Sequence, residues 1–205
     1  MENLEYMIFP LEARYKVYHE ERTYIPTVTL LFDTSGSVWG DPVERTAVIS
    51  AVLSVFNDLF AKFQYIRLAM TYFSDIPEDE YVPCEGLRWR NKMCIYYDEM
   101  ATKHKVNNMF LMSKDNARVV VSTGGTNPNP AWRAVIGVIK QKSWEMPPTY
   151  TIIATDGYIP TLEIPNEYYD LSSIFILITP NGTTDFDVIY PSKYTGKITV
   201  MKIAI

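Results

Sequence analysis

Asp33, Ser35 and Ser37 stand at alternate positions in the segment Leu30-Leu31-Phe32-Asp33-Thr34-Ser35-Gly36-Ser37, and each carries a hard oxygen donor. Donors of this kind suit magnesium or manganese rather than zinc or copper. Alternating side chains in a loop converge on one point only if the backbone curls, and Gly36 permits the curl. The same residues also fit a polar strand-to-helix turn whose serines cap the helix, and this stretch alone leaves both readings open. Two further loops offer oxygen after an apolar run. Ser122-Thr123-Gly124-Gly125-Thr126 follows the β-rich Arg118–Val121, and Thr155-Asp156-Gly157 follows the β-branched segment Thr149–Ala154.

Positioning such loops requires strands that stop at the same edge. Thr27–Phe32, Tyr65–Phe73, Thr149–Ala154, Ser173–Thr179 and Lys197–Ile203 read as strands. Buried parallel strands are continuously apolar, and in open α/β sheets ligands collect just past their carboxyl ends. Asp41-Pro42-Val43-Glu44 predicts a helix start, with Asp41 as N-cap, Pro42 at the first helical position and Glu44 as the reciprocal capping partner. Val48, Ala51, Val52, Val55, Phe56, Leu59 and Phe60 follow at three- and four-residue spacing and form one apolar stripe. A second helix is expected from a cap at Asn129 before Pro130, with Ala131, Ala134, Val135, Val138 and Ile139 as its buried face. Between these, Met93–Tyr97 reads as an edge strand and Asn107–Met112 as a short strand or covered turn. The expected fold is an open, doubly wound, mostly parallel α/β sheet with helices on both faces, a three-layer Rossmann-like sandwich.

The 205 residues suit a single domain, 1–205, with an N-terminal extension (1–26) packed on it and a variable insertion (76–117). Hydrophobic residues at 47% and charged residues at 21% exclude a disordered chain. A net charge of −5 argues against nucleic acid as the partner, and the cluster Arg88-Trp89-Arg90-Asn91-Lys92 is too short to reverse that. Cys84 and Cys94 can form one bridge, yet two scattered thiols fit a reducing compartment better than a secreted scaffold. The acidic start Met1-Glu2-Asn3-Leu4-Glu5 does not resemble a signal peptide, and no apolar run is of membrane-spanning length. A cytoplasmic location with no membrane partner is expected.

The series Asp-x-Ser-Gly-Ser, Gly-Gly-Thr and Thr-Asp-Gly, in that order and context, resembles a von Willebrand factor A-type domain over roughly residues 27–203. In that family three such loops form a metal-ion-dependent adhesion site. The resemblance implies that Ser35, Ser37 and Thr126 supply hydroxyl ligands, and that Asp33 and Asp156 coordinate directly or through water. The ion would be Mg2+ or Mn2+, and an open coordination position would accept a glutamate or aspartate from a partner protein. The resemblance to the intracellular bacterial or viral branch further implies a setting beside an AAA+ ATPase or within a multiprotein assembly.

The expected function is therefore non-enzymatic, a divalent-cation-dependent adhesion or adaptor domain. Its rivals are a metal-dependent phosphoryl hydrolase and a structural, viral subunit with a stabilising metal site. The hydrolase reading needs an attacking group. Ser35 stands where a second carboxylate would be expected after Asp33, no HExxH sequence is present, and no histidine is placed to activate Ser35. His19 and His104 lack ligand spacing and read as surface or structural residues. Asp75 reads as a turn residue, Asp185 and Asp187 as an acidic loop. Trp39 is either part of a rim that a partner touches or a packed ring.

Overall fold

A continuous β-branched or aliphatic run has no polar face to present to water, so it is stable only between two covered layers. That is where Thr27–Asp33 (β1), Tyr150–Thr155 (β5) and Ser173–Ile178 (β7) lie, buried along nearly their whole length. The structure, a computed structural model, describes residues 24–84, 94–115, 125–169 and 172–204, with 111–115 described by backbone alone. The first 23 residues of the N-terminal extension, the basic cluster at 88–92 and the β-rich segment 118–121 lie outside the described residues.

After β1 come a one-turn helix, Gly36–Trp39 (α1), and a long helix, Pro42–Lys62 (α2), then the strand Ile66–Phe73 (β2). A 3-10 turn at Glu78–Glu80 leads to Val82–Cys84 (β3), Cys94–Ala101 (β4) and the helix Lys103–Asp115 (α3). The helix Pro128–Gln141 (α4) precedes β5; the short strands Leu162–Glu163 (β6) and Val188–Ile189 (β8) flank β7, and Lys197–Lys202 (β9) ends the sheet. Among the described residues the main sheet has the order β3-β4-β2-β1-β5-β7-β9, with β6 and β8 forming a separate two-stranded sheet. β2, β1, β5, β7 and β9 are mutually parallel, and β4 runs antiparallel to β2.

Alternation along the strands divides the core. Leu30, Phe32, Leu68, Met70, Ile152 and Ala154 face α1, α2 and α3, through Trp39, Val48, Val52, Phe56, Val106 and Phe110. Leu31, Ala69, Phe73 and Ile153 face the opposite side, covered by α4 through Ala131, Trp132, Val135, Val138 and Ile139. The molecule is thus a three-layer α/β sandwich with an open, doubly wound, mostly parallel sheet, an arrangement shared in general by Rossmann-like and von Willebrand factor A-type folds.

Several local expectations need correction. Cys94–Ala101 is not the edge, because β3 pairs outside it with Val82 opposite Cys94. Asn107–Met112 is neither strand nor turn but part of α3, since Val106, Met109 and Phe110 share one helical face and pack on α2. The cap of α4 is Asn127, whose Oδ1 accepts from the Asn129 amide at 3.1 Å, while the Asn129 side chain bonds the backbone of Thr161 and Glu163. Cys84 and Cys94 form the one bridge that the sequence allows, across adjacent strands, with Cα atoms 5.6 Å apart. Among the described residues no helix is long and apolar enough to cross a membrane.

Asp41 caps α2 as expected, its Oδ1 accepting from Val43 N at 2.7 Å and Glu44 N at 3.4 Å. Asp41→Ala should lower stability by about 1 kcal/mol, read as a shifted urea midpoint with an unchanged slope.

Candidate metal centre

The chain leaves β1 on one side to build α2 and β2, and returns on the other side through α4 to β5. The crevice between the carboxyl ends of β1 and β5 is therefore the point where the strand order reverses, the usual ligand position in such sheets. Asp33 ends β1 and Asp156 follows β5 directly. These two carboxylates, distant in sequence, share the crevice because their strands are neighbours in register, with Leu31 opposite Ile153.

Continuing that register by two residues sets Thr155 beside Asp33 on the same face, and the Thr155 hydroxyl donates to Asp33 Oδ2 at 2.7 Å. The Ser35 amide donates to Asp33 Oδ1, also at 2.7 Å. Thr34, fully buried, locks the turn to β2: its amide and hydroxyl both donate to the Phe73 carbonyl, at 3.1 and 3.2 Å. The chain then curls so that the Ser35 and Ser37 hydroxyls meet at 3.0 Å, and Ser37 Oγ donates to Asp156 Oδ2. The other oxygen of Asp156 accepts from the Tyr158 amide at 3.0 Å. Asp33, Ser35, Ser37 and Asp156 are thus joined by one continuous chain of hydrogen bonds, its first link made by the Ser35 backbone amide. Asp33, Ser35 and Asp156 are buried, whereas Gly36 and Ser37 are exposed, so the cluster opens to solvent over the 36–37 turn.

Thr126 is half-buried just before α4, the helix covering the sheet face that carries Leu31 and Ile153. Its neighbour Gly125 lies against Asp75, at the carboxyl end of β2, with a Cβ position 3.8 Å from Asp75 Oδ2. The third loop therefore reaches the same crest, yet the hydrogen bonds joining the other four residues do not include Thr126. Asp75, Asp185 and Asp187 are exposed outside the cluster, and exposed His104 bonds Asn108. Trp39 is no rim residue. It is 1% exposed and packs edge-on against Phe32 and Tyr72, with ring centroids 5.5 and 6.0 Å away.

Burial pushes the Asp33 carboxyl up to about 6; the bonds from Ser35 and Thr155 pull against that rise and the nearby Asp156 charge adds to it. Among the described residues neither Asp33 nor Asp156 has an ion-pair partner. Nor, among them, do three or more His, Cys, Asp or Glu side chains gather in one place, which leaves a thiolate, imidazole or all-carboxylate site without support. The site thus gathers two buried carboxylates and the hydroxyls of Ser35 and Ser37, all hard oxygen donors, with no basic side chain among the described residues paired to either acid.

Sequence reading missed Thr155 as a partner of Asp33 and gave Glu44 the wrong partner. For Thr155 a signal exists, since it shares the period-two face of Ile153. For Glu44 none does, because its partner Asn181 is 137 residues away. No known protein-family model matches the chain, and no curated protein matches it in sequence.

Proposed function

We propose that this domain binds one Mg2+ or Mn2+ ion at the crest of β1 and β5 and through it captures a carboxylate of a partner protein. The observation that carries the reading is the unbroken run of hydrogen bonds from Asp33 through Ser35 and Ser37 to Asp156, with no basic side chain among the described residues paired to either acid. Asp33, Ser35, Ser37 and Asp156 would hold the ion, and Thr126 would join them from the loop before α4. Two carboxylates balance the charge of one divalent ion, and neutral hydroxyls leave it a Lewis acid able to accept a further oxygen. The exposed 36–37 turn is the side from which a partner's glutamate or aspartate would approach.

The reading is of a binding domain rather than a hydrolase. Both oxygens of Asp33 already accept hydrogen bonds and its side chain is fully buried, a poor state for a nucleophile. A cytoplasmic multiprotein assembly, with or without an AAA+ ATPase, is the proposed setting.

Calorimetry with Mn2+ tests the site: the wild type should bind about one equivalent and Asp156→Ala should not. Equal binding by both would refute the assignment. Partner capture from the native source should succeed in Mg2+ and fail in EDTA, and the same proteins recovered under both conditions would refute capture through the ion.

A further inference from the structure

Glu44 lies in the first turn of α2, where a carboxylate is favoured by the helix dipole, yet it is only 4% exposed. Burying a carboxylate is costly unless hydrogen bonds replace its water. Asp41 already caps the helix, so Glu44 turns inward to the loop after β7. Its Oε1 accepts from the Asn181 side-chain amide at 2.7 Å and from the Asn181 backbone amide at 3.2 Å.

The turn that receives Glu44 is itself clasped to the Asp156 loop. Thr183 N donates to the Asp156 carbonyl at 2.8 Å. A Cβ on Gly182 would lie 2.3 Å from that carbonyl oxygen, and one on Gly157, which adopts φ +80°, would lie 1.8 Å from the Thr183 carbonyl oxygen. The two loops can pack this closely only because both positions are glycine. On the other side, Glu44 belongs to the helix that begins a few residues after Ser37, and Arg45 beside it donates to the Trp39 carbonyl at 3.1 Å. Beyond the β1–β5 pairing and the Thr155–Asp33 bond at its end, two side-chain connections among the described residues span the gap between the hydroxyl turn and the Asp156 loop: the Ser37–Asp156 bond, made of the groups that would meet the ion, and the Glu44–Asn181 bond, made of groups that would not.

We infer that the Glu44–Asn181 bond is a brace that sets the separation of the Ser35–Ser37 turn and Asp156 for cation binding, which makes Glu44 and Asn181 positioning residues. The inference rests on the metal reading above. An ion imposes its own spacing on Ser37 and Asp156, so their direct bond cannot hold the loops at that spacing. The brace can, because neither of its ends touches the ion.

The test is Mn2+ calorimetry on the full chain for the wild type, Glu44→Ala, Glu44→Gln, Asn181→Ala and the Glu44→Ala/Asn181→Ala pair, with melting in EDTA alongside. Each alanine variant should bind Mn2+ about 10-fold more weakly. The double variant should be little worse than Glu44→Ala, because one bond is being removed twice. Glu44→Gln keeps an acceptor for the Asn181 amide and should lose less. A merely structural bond would lower melting in EDTA and leave the Mn2+ affinity unchanged. Asn181 is exposed, so its variant should fold even if Glu44→Ala does not. Wild-type binding with an unchanged affinity in Asn181→Ala overturns the brace alone; no Mn2+ binding by the wild type overturns the metal reading and the brace with it.

Discussion

Replacing Asp33 with Asn should make the metal-free protein more stable at pH 7.5, by about 3 kcal/mol at most, while abolishing its stabilisation by Mn2+. One pK unit is worth about 1.4 kcal/mol, and burial has moved Asp33 from its ordinary 3.8 to about 6. The folded state therefore holds the proton more tightly than the unfolded chain does. This contribution to stability is complete below pH 3.8, falls as pH rises through the window up to about 6, and stays lost above it. Asn carries no charge to desolvate and can still accept from Ser35 N, while the Thr155 hydroxyl can rotate to accept from the new amide. Urea denaturation in EDTA at pH 7.5 and near pH 4 checks this. The advantage of the variant should shrink at the lower pH, where the wild-type carboxyl is largely protonated. An Asp33→Asn protein less stable than wild type at pH 7.5 would show that the acid is not strained by burial. The cation reading assigns that strain a purpose, since a divalent ion compensates the buried charge and ligand binding to the native state adds stability by mass action.

Trp39→Ala should be the most destabilising single change near the site, costing about 3–5 kcal/mol in denaturant unfolding. The ring, at the end of the one-turn helix that carries Ser37, is buried against Phe32 and Tyr72, with the Arg45 guanidinium 5.8 Å from its centroid. Its removal would leave a cavity directly under the hydroxyl turn, so Mn2+ affinity should fall together with stability. Trp39→Phe should cost far less. It keeps an aromatic ring in the same packing and deletes an indole N–H that, among the described residues, has no hydrogen-bond partner. A mild Trp39→Ala phenotype would mean that the turn is supported elsewhere.

How far the molecule was legible from its sequence varies with how local the causes are. The strands β1, β5 and β7 were readable because both of their faces are buried, which forces a continuous apolar run. The start of α2 was readable because Asp41 and Pro42 act on amides two or three residues away. The start of α4 was misplaced by two residues, because Asn127-Pro128 and Asn129-Pro130 offer the same signal twice and only the backbone shows which asparagine caps. The helix α3 was missed because its polar residues dominate the reading. Among its described side chains the apolar anchor is Val106, Met109 and Phe110, whose meaning depends on α2 lying alongside. The capping role expected of Glu44 failed for a related reason: a reciprocal cap is a local option, and a buried long-range bond to Asn181 displaced it.

By itself, the sequence determined the chemistry on offer: hard oxygen donors, each placed where a strand gives way to a loop, in an α/β chain. Residue type and local backbone preference suffice for that. Only the tertiary structure decided that β1 and β5 lie side by side, that Thr155 reaches Asp33 across 122 positions, that Ser37 meets Asp156, and that Trp39 supports the turn from below instead of meeting a partner above it. Strand order and the burial of a ring follow from how the layers pack, and packing is set by contacts between segments that carry no mark of one another in the chain.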